Sequence, residues 1–347
     1  MQGAAKLTGR SSALAGLAAM ADMQGATASL SFERFINTIN KEQARDLVKN
    51  INLFMKNFRA KEIDSDSDSR AVQNFLADME EAFAQHPLWA GASRADLDAA
   101  CEGLEKYLMT KLFDRTFQAY PSDRERDESI ALRLQALQFV GPQHLEIPLD
   151  FAADGSLLLA HKELKKINMF KSPRDKLSCI LSCCRVITNL LGSRKHGAGA
   201  DDFTPVLVYI TIKAAPEHLA SNLAFIERFR AASRLVSEAQ YYFVQMQGAL
   251  AFVETLDAHS SLKVDPDELL AHMLAAGAIT EEDLGSYQLS RRSSAAGPGP
   301  LRGHPSFTPP PDFQAGPHQP LSGALYPAPP PPPTPPAHPT PAAAQPA

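Results

Sequence analysis

Apolar side chains in the first third of this chain recur three and four positions apart. Leu47, Ile51, Phe54, Met55 and Phe58 form one such set. Val72, Phe75, Leu76, Met79 and Phe83 form a second, and Leu97, Cys101, Leu104, Leu108 and Leu112 a third. A helical period puts each set on one side of a helix, with acids and bases on the other. Convincing period-two alternation is absent. From residue 31 to about 285 the pattern predicts an all-α, layered array of eight to ten helices. The run Val206 to Ile212 is β-branched enough for a buried strand, and periodicity does not decide so short a run. Its helical flanks make a helix the expectation. Trp89, in His-Pro-Leu-Trp, is expected to anchor the core from a turn between helices.

A length of 347 residues allows one large domain or two ordinary ones. A net charge of −5 lacks the basic excess of a nucleic-acid binder. No apolar stretch approaches the ~18 residues of a membrane span. Neither nucleic acid nor an integral membrane position is therefore expected. The end of the chain is different in kind: 19 of the 27 prolines lie in the last 51 residues, whose only charged side chains are Arg302 and Asp312. Residues 286–347 are expected to be a disordered Pro-rich tail. Pro329 to Pro336 favours polyproline II, as a ligand for an adaptor or profilin-like protein or as a plain spacer. Arg291-Arg292-Ser293-Ser294 resembles a kinase site beside this tail. Residues 1–30 are expected to be a disordered tail too, although 1–21, with Lys6, Arg10 and no acid, resemble a transit peptide in composition.

Candidate chemistry is sparse. Cys101, Cys179, Cys183 and Cys184 lack the paired spacing and nearby histidines of a zinc site and read as small core residues in a reducing compartment. Asp64-Ser-Asp66-Ser-Asp68-Ser invites an EF-hand reading, but Ser69 and Phe75 stand where that loop needs Gly and Glu. An exposed, phosphorylatable acidic loop is the expectation instead. No P-loop, H-E-x-x-H or G-x-S-x-G occurs, so no covalent chemistry, metal or cofactor is expected. Two acids do stand out. Gly197-Ala-Gly-Ala leads into Asp201-Asp202-Phe-Thr-Pro205. An acid here can cap a helix, for ~1 kcal/mol, and Pro205 suits a first turn. Two acids exceed one cap, and the small residues before them permit close approach by another molecule. The residues alone leave cap and function both open.

Several ordered blocks carry a resemblance. They are Glu105-Lys-Tyr-Leu-Met-Thr-Lys-Leu-Phe113, Ala160-His-Lys-Glu-Leu-Lys-Lys-Ile-Asn168 and Ser172-Pro-Arg-Asp-Lys-Leu-Ser-Cys-Ile180. Residues 200–223, Glu238-Ala-Gln-Tyr-Tyr-Phe243 and Ala251-Phe-Val-Glu-Thr-Leu-Asp257 continue the series. Together they resemble the Vps nine (vacuolar protein sorting nine) domain, the exchange module for Rab-five-type GTPases, in its plant form. The resemblance covers about 31 to 270. It implies a helical bundle over 31–120 and the exchange domain over 121–275, in a cytoplasmic protein recruited to endosomal membranes. It implies that Asp201, four residues before Pro205, is a finger that displaces Mg²⁺ and GDP from the partner GTPase. Asp202 is then the structural cap, and Pro205, Tyr241, Tyr242 and Val244 face the partner. The family pattern has threonine three residues after the tyrosine. Val244 stands there instead, without the hydroxyl. That departure supports an alternative: a catalytically weak endosomal scaffold or effector working through its Pro-rich tail.

Overall fold

The three periodic sets become buried helix faces in the computed structural model, which describes residues 31–148, 155–192, 202–256 and 262–295. The helices are α1 (31–39), α2 (Arg45–Ala60), α3 (Ser65–Gln85), α4 (Arg94–Lys111), α5 (Phe113–Thr116) and α6 (Pro121–Ala136). There follow α7 (Gly155–Lys165), α8 (Pro173–Gly192), α9 (Phe203–Ala214), α10 (Leu219–Phe229), α11 (Ser237–Thr255), α12 (Pro266–Ala275) and α13 (Glu281–Ala295). No strand is present among the described residues. Among the described residues there are thirteen helices, more than the eight to ten expected. A single turn such as α5 is too short to show a period, and α13, which runs past the expected boundary at 285, has no fully buried side chain among those described. The expected tail 1–30 and residues 296–347 of the expected tail 286–347 lie outside the described residues, whereas 286–295, expected to be disordered, continue helix α13.

Two apolar cores organise the array. The first gathers Phe35, Leu47, Ile51, Phe58, Val72, Phe83, Leu104 and Leu108 from α1 to α4. Trp89 closes it from a short 3₁₀ turn, its ring 4.5 Å from Phe83. The second core runs from Ile130 to Met273 and takes in Cys179, Cys183 and Cys184. All four cysteines are free and buried, as expected of small core residues. The ambiguous run Val206 to Ile212 is helical, and six of its seven side chains are buried.

The two cores meet at α10. Phe225, Phe229 and Ala231 belong by packing to the first core although they lie more than 100 residues beyond its other buried members, which end at Tyr120. Polar links follow the same seam. Glu105 Oε2 accepts from the Ala231 amide at 2.8 Å and from Arg230 at 2.9 Å, and Arg230 also reaches Glu102 at 2.6 Å. Lys176, fully buried, donates to Asn222 Oδ1 at 2.6 Å and the Ile167 carbonyl at 3.1 Å. Its ammonium lies 4.5 Å from the Phe117 ring centroid and 5.5 Å from that of Phe113.

The acidic run 64–69 is not an exposed loop. Asp64 caps α3, accepting from the Ser67 amide at 2.7 Å, and the following acids sit in the first turn, where the helix dipole favours them. Asp68 is 1 % exposed, bonded to Arg115 at 2.7 Å and to the Tyr120 hydroxyl at 3.0 Å. An arginine 47 residues away, invisible to local pattern, makes that burial affordable in charge.

Candidate functional site

Helix α9 packs against α7, α8 and α11, so nearly every side of it is apolar. Its N-terminus emerges beside the outer face of α11. Two contacts fix that corner. The Phe203 ring stacks on Tyr242 at 5.8 Å, and the Thr204 hydroxyl meets Gln245 Oε1 at 3.4 Å. Pro205 is half-buried in the first turn, where its missing N–H costs no helix bond.

Asp202 stands at the N-cap position but does not cap by hydrogen bond. Its backbone is already helical, φ −79°, ψ −17°, and its side chain accepts no bond from the first turn. A capping side chain needs an extended backbone to curl back on the amides behind it. The expected cap is thus one of place only. Asp201 lies outside the described residues.

Tyr241 and Tyr242, expected together on the partner-facing side, part company. Tyr242 is 8 % exposed. Thr188 donates its one proton to the Cys184 carbonyl at 3.0 Å, so the Tyr242 hydroxyl donates to Thr188 at 2.9 Å. Burial pushes the Tyr242 pKa up, which keeps that donor protonated. Tyr242 therefore positions α8, α9 and α11 relative to one another and presents no face outward. Tyr241 is half-buried, its ring 5.3 Å from Tyr242. Val244 is 48 % exposed, an uncommon position for a branched apolar side chain, and a side chain at Gly248 one turn on would meet open space. Val244 and Gly248 thus lie open on the outer face of α11, with Gln240 and Ala251 exposed beside them.

A bidentate pair borders it. Arg185 on α8 donates to Glu238 at 3.0 and 2.7 Å, and that bonding lowers the Glu238 pKa. Thr188, Phe203, Gln245 and the Arg185–Glu238 pair carried no sequence signal, because each works through a partner about 40 to 54 residues distant. Among the described residues no group of three His, Cys, Asp or Glu side chains could hold a metal ion.

Residues 157–258, which include this whole corner, match the family model of the vacuolar sorting protein 9 (VPS9) domain. This segment is a VPS9 domain. The match lies inside the 121–275 segment expected for the domain. Residues 49–113 of the first core match a domain of unknown function (DUF5601). Vacuolar protein sorting-associated protein 9A of rice is 48 % identical over 241 residues, 68 % of this chain and 50 % of that protein. Its Arabidopsis namesake is 43 % identical over 279 residues, 78 % of this chain and 54 % of that protein. The human Rab5 GDP/GTP exchange factor is 32 % identical over 239 residues, 67 % of this chain and 48 % of that protein. The chain spans about half the length of these curated relatives.

Proposed function

We propose that this chain is a guanine-nucleotide exchange factor for a Rab-five-type GTPase in endosomal or vacuolar trafficking. The VPS9 match carries the reading, and the likeness to a protein named for Rab5 exchange supports the choice of partner. The chemistry needs no covalent step and no cofactor of its own. Nucleotide and Mg²⁺ are held in a GTPase mainly by charge. A carboxylate placed beside the β-phosphate repels the phosphate and competes for the P-loop lysine and Mg²⁺. Asp201 is the group proposed for this; in sequence it stands two positions before the first residue of α9. By linkage, exchange factor and nucleotide each weaken the other's hold on the GTPase by the same factor. Pro205, Tyr241 and Val244 would receive the GTPase switches on the open face of α11.

A second reading rests on Val244. An exposed valine where the family pattern has threonine forfeits a hydrogen bond to the partner, which favours a weak exchanger serving as an endosomal scaffold through its Pro-rich tail. One assay separates the two. Release of a fluorescent GDP analogue from a Rab-five-type GTPase is followed with the full chain and with Asp201→Asn. Fast release that collapses in the variant supports the finger. Release no faster than that of the GTPase alone, across several such GTPases, refutes exchange and leaves the scaffold.

A further inference from the structure

A second surface, outside the α9–α11 corner, has a composition of its own. The solvent side of α7 and the 3₁₀ turn that continues it (Lys166–Met169) carries Leu158, Lys162, Lys165, Lys166 and Met169. Positions 158, 162 and 165 follow i, i+4, i+7, so they share one face of α7 about 10 Å long, and Met169 follows at the end of the 3₁₀ turn. Met169 is 76 % exposed, the largest value among the exposed large apolar side chains described, and Leu158 is 57 % exposed. Neither Lys162 nor Lys165 makes an ion pair among the described residues. Lys166 pairs with Glu163 at 2.7 Å, and that carboxylate is itself 8 % exposed, tucked beneath the face. Lys171, just beyond, is exposed as well. One exposed acid, Glu217, borders the turn, its carbonyl accepting from Asn168 at 2.7 Å.

Apolar side chains standing in water with lysines between them fit one kind of surface well. We propose that this face docks on an anionic phospholipid bilayer, with the Lys162 and Lys165 ammonium groups among the headgroups and Leu158 and Met169 at the acyl boundary. Lysine stems suit that boundary, because they lie along apolar surface while the charge stays wet. Charge complementarity sets aside one other occupant: the chain's own residues 296–347 contain a single acid, Asp312, and offer the lysines nothing to pair with. This proposal concerns membrane contact alone and stands apart from the exchange reading.

The test is flotation of the full chain with phosphatidylcholine vesicles made with and without phosphatidylserine. Binding is expected only with phosphatidylserine, and it should fall as salt rises. Lys162→Gln with Lys165→Gln should weaken it about twenty-five-fold, since each lysine near an anionic surface contributes about fivefold. Met169→Ser should weaken it further. Lys49→Gln with Lys56→Gln on the exposed side of α2 is the control and should leave it unchanged. No binding to anionic vesicles, or equal loss in the control pair, overturns the proposal. So does slower GDP release from a soluble GTPase by the Lys162/Lys165 variant without vesicles, which would assign the face to an acidic protein. No GTPase enters the flotation, so its failure is distinct from failure of exchange.

Discussion

Replacing Phe225 with alanine tests whether the bundle and the VPS9 domain fold as one unit. Phe225 lies on α10, within the VPS9 match, yet it is 1 % exposed inside the core built by α1 to α4. Its ring meets Phe113 at 5.6 Å, Phe117 at 5.7 Å and Phe229 at 5.3 Å, all edge to face. Burial of a phenylalanine lost to alanine costs about 3–5 kcal/mol, and each well-oriented ring pair adds roughly 0.5–1.5 kcal/mol beyond area alone. With three ring partners the upper part of that range is expected, about 4–5 kcal/mol. Domains of this kind hold about 5–15 kcal/mol in all, so the loss should be plain in urea unfolding. The chain has a single tryptophan, Trp89, and it sits in the bundle core. Trp89 fluorescence therefore reports the bundle, while far-ultraviolet circular dichroism reports every helix. A mutation in α10 should move both curves together to a lower midpoint, with no change in slope. A Trp89 transition left in place while dichroism develops a separate early phase would show two independent units and refute the reasoning.

Three further outcomes are expected. Tyr242→Phe removes one internal hydrogen bond, to Thr188, and should cost about 1 kcal/mol in urea unfolding; a null effect would mean the bond is not made. Val244→Thr, at a position 48 % exposed, should leave stability within about 0.5 kcal/mol and speed GDP release if the missing hydroxyl is what weakens partner contact; unchanged release would remove that argument for a scaffold. Burial pulls the Lys176 pKa down to about 8. Between there and the ordinary ~10.4 the unfolded chain holds the extra proton, so this group's contribution to stability rises with pH across that window by up to about 3 kcal/mol. Lys176→Met should abolish the rise, so the gap between wild type and variant should widen from pH 7.5 to 10; a constant gap would show that Lys176 titrates normally.

Much of the helical framework could be read along the chain, because an amphipathic period is a local property. The three apolar sets, the buried cysteines and the Trp89 anchor all lie where that period places them. What escaped was long-range pairing. Asp68 looked like one more surface acid until Arg115 and Tyr120, 47 and 52 positions on, closed around it. Nothing local says that the Phe225 ring packs with Phe113 and Phe117. The strand-like run 206–212 could not be resolved by period, because a helix buried on nearly all sides has no polar face to reveal one. At the α9–α11 corner, the sequence reading treated two adjacent tyrosines as equivalent. One hundred degrees of helical rotation separates neighbours, enough to turn Tyr242 inward and leave Tyr241 at the rim.

The blocks that carry the family resemblance include charged side chains that look available for chemistry, and the structure assigns several of them to the seam between the cores. Glu105 holds the Ala231 amide and Arg230; Lys176 holds Asn222 and the Ile167 carbonyl; Asp175 meets Lys106 at 2.9 Å. A buried charge left without its partner is far more costly than a lost surface contact, so such positions constrain sequence strongly without touching any ligand. The same logic explains how the α9 corner is held. Asp202 makes no cap bond, and the helix start is fixed instead by the Phe203 ring against Tyr242 and by Thr204 against Gln245. Those supports come from α11, and Tyr242 is in turn tied to α8. The start of α9 is therefore positioned by the helices behind it and does not depend on a capping bond from Asp202.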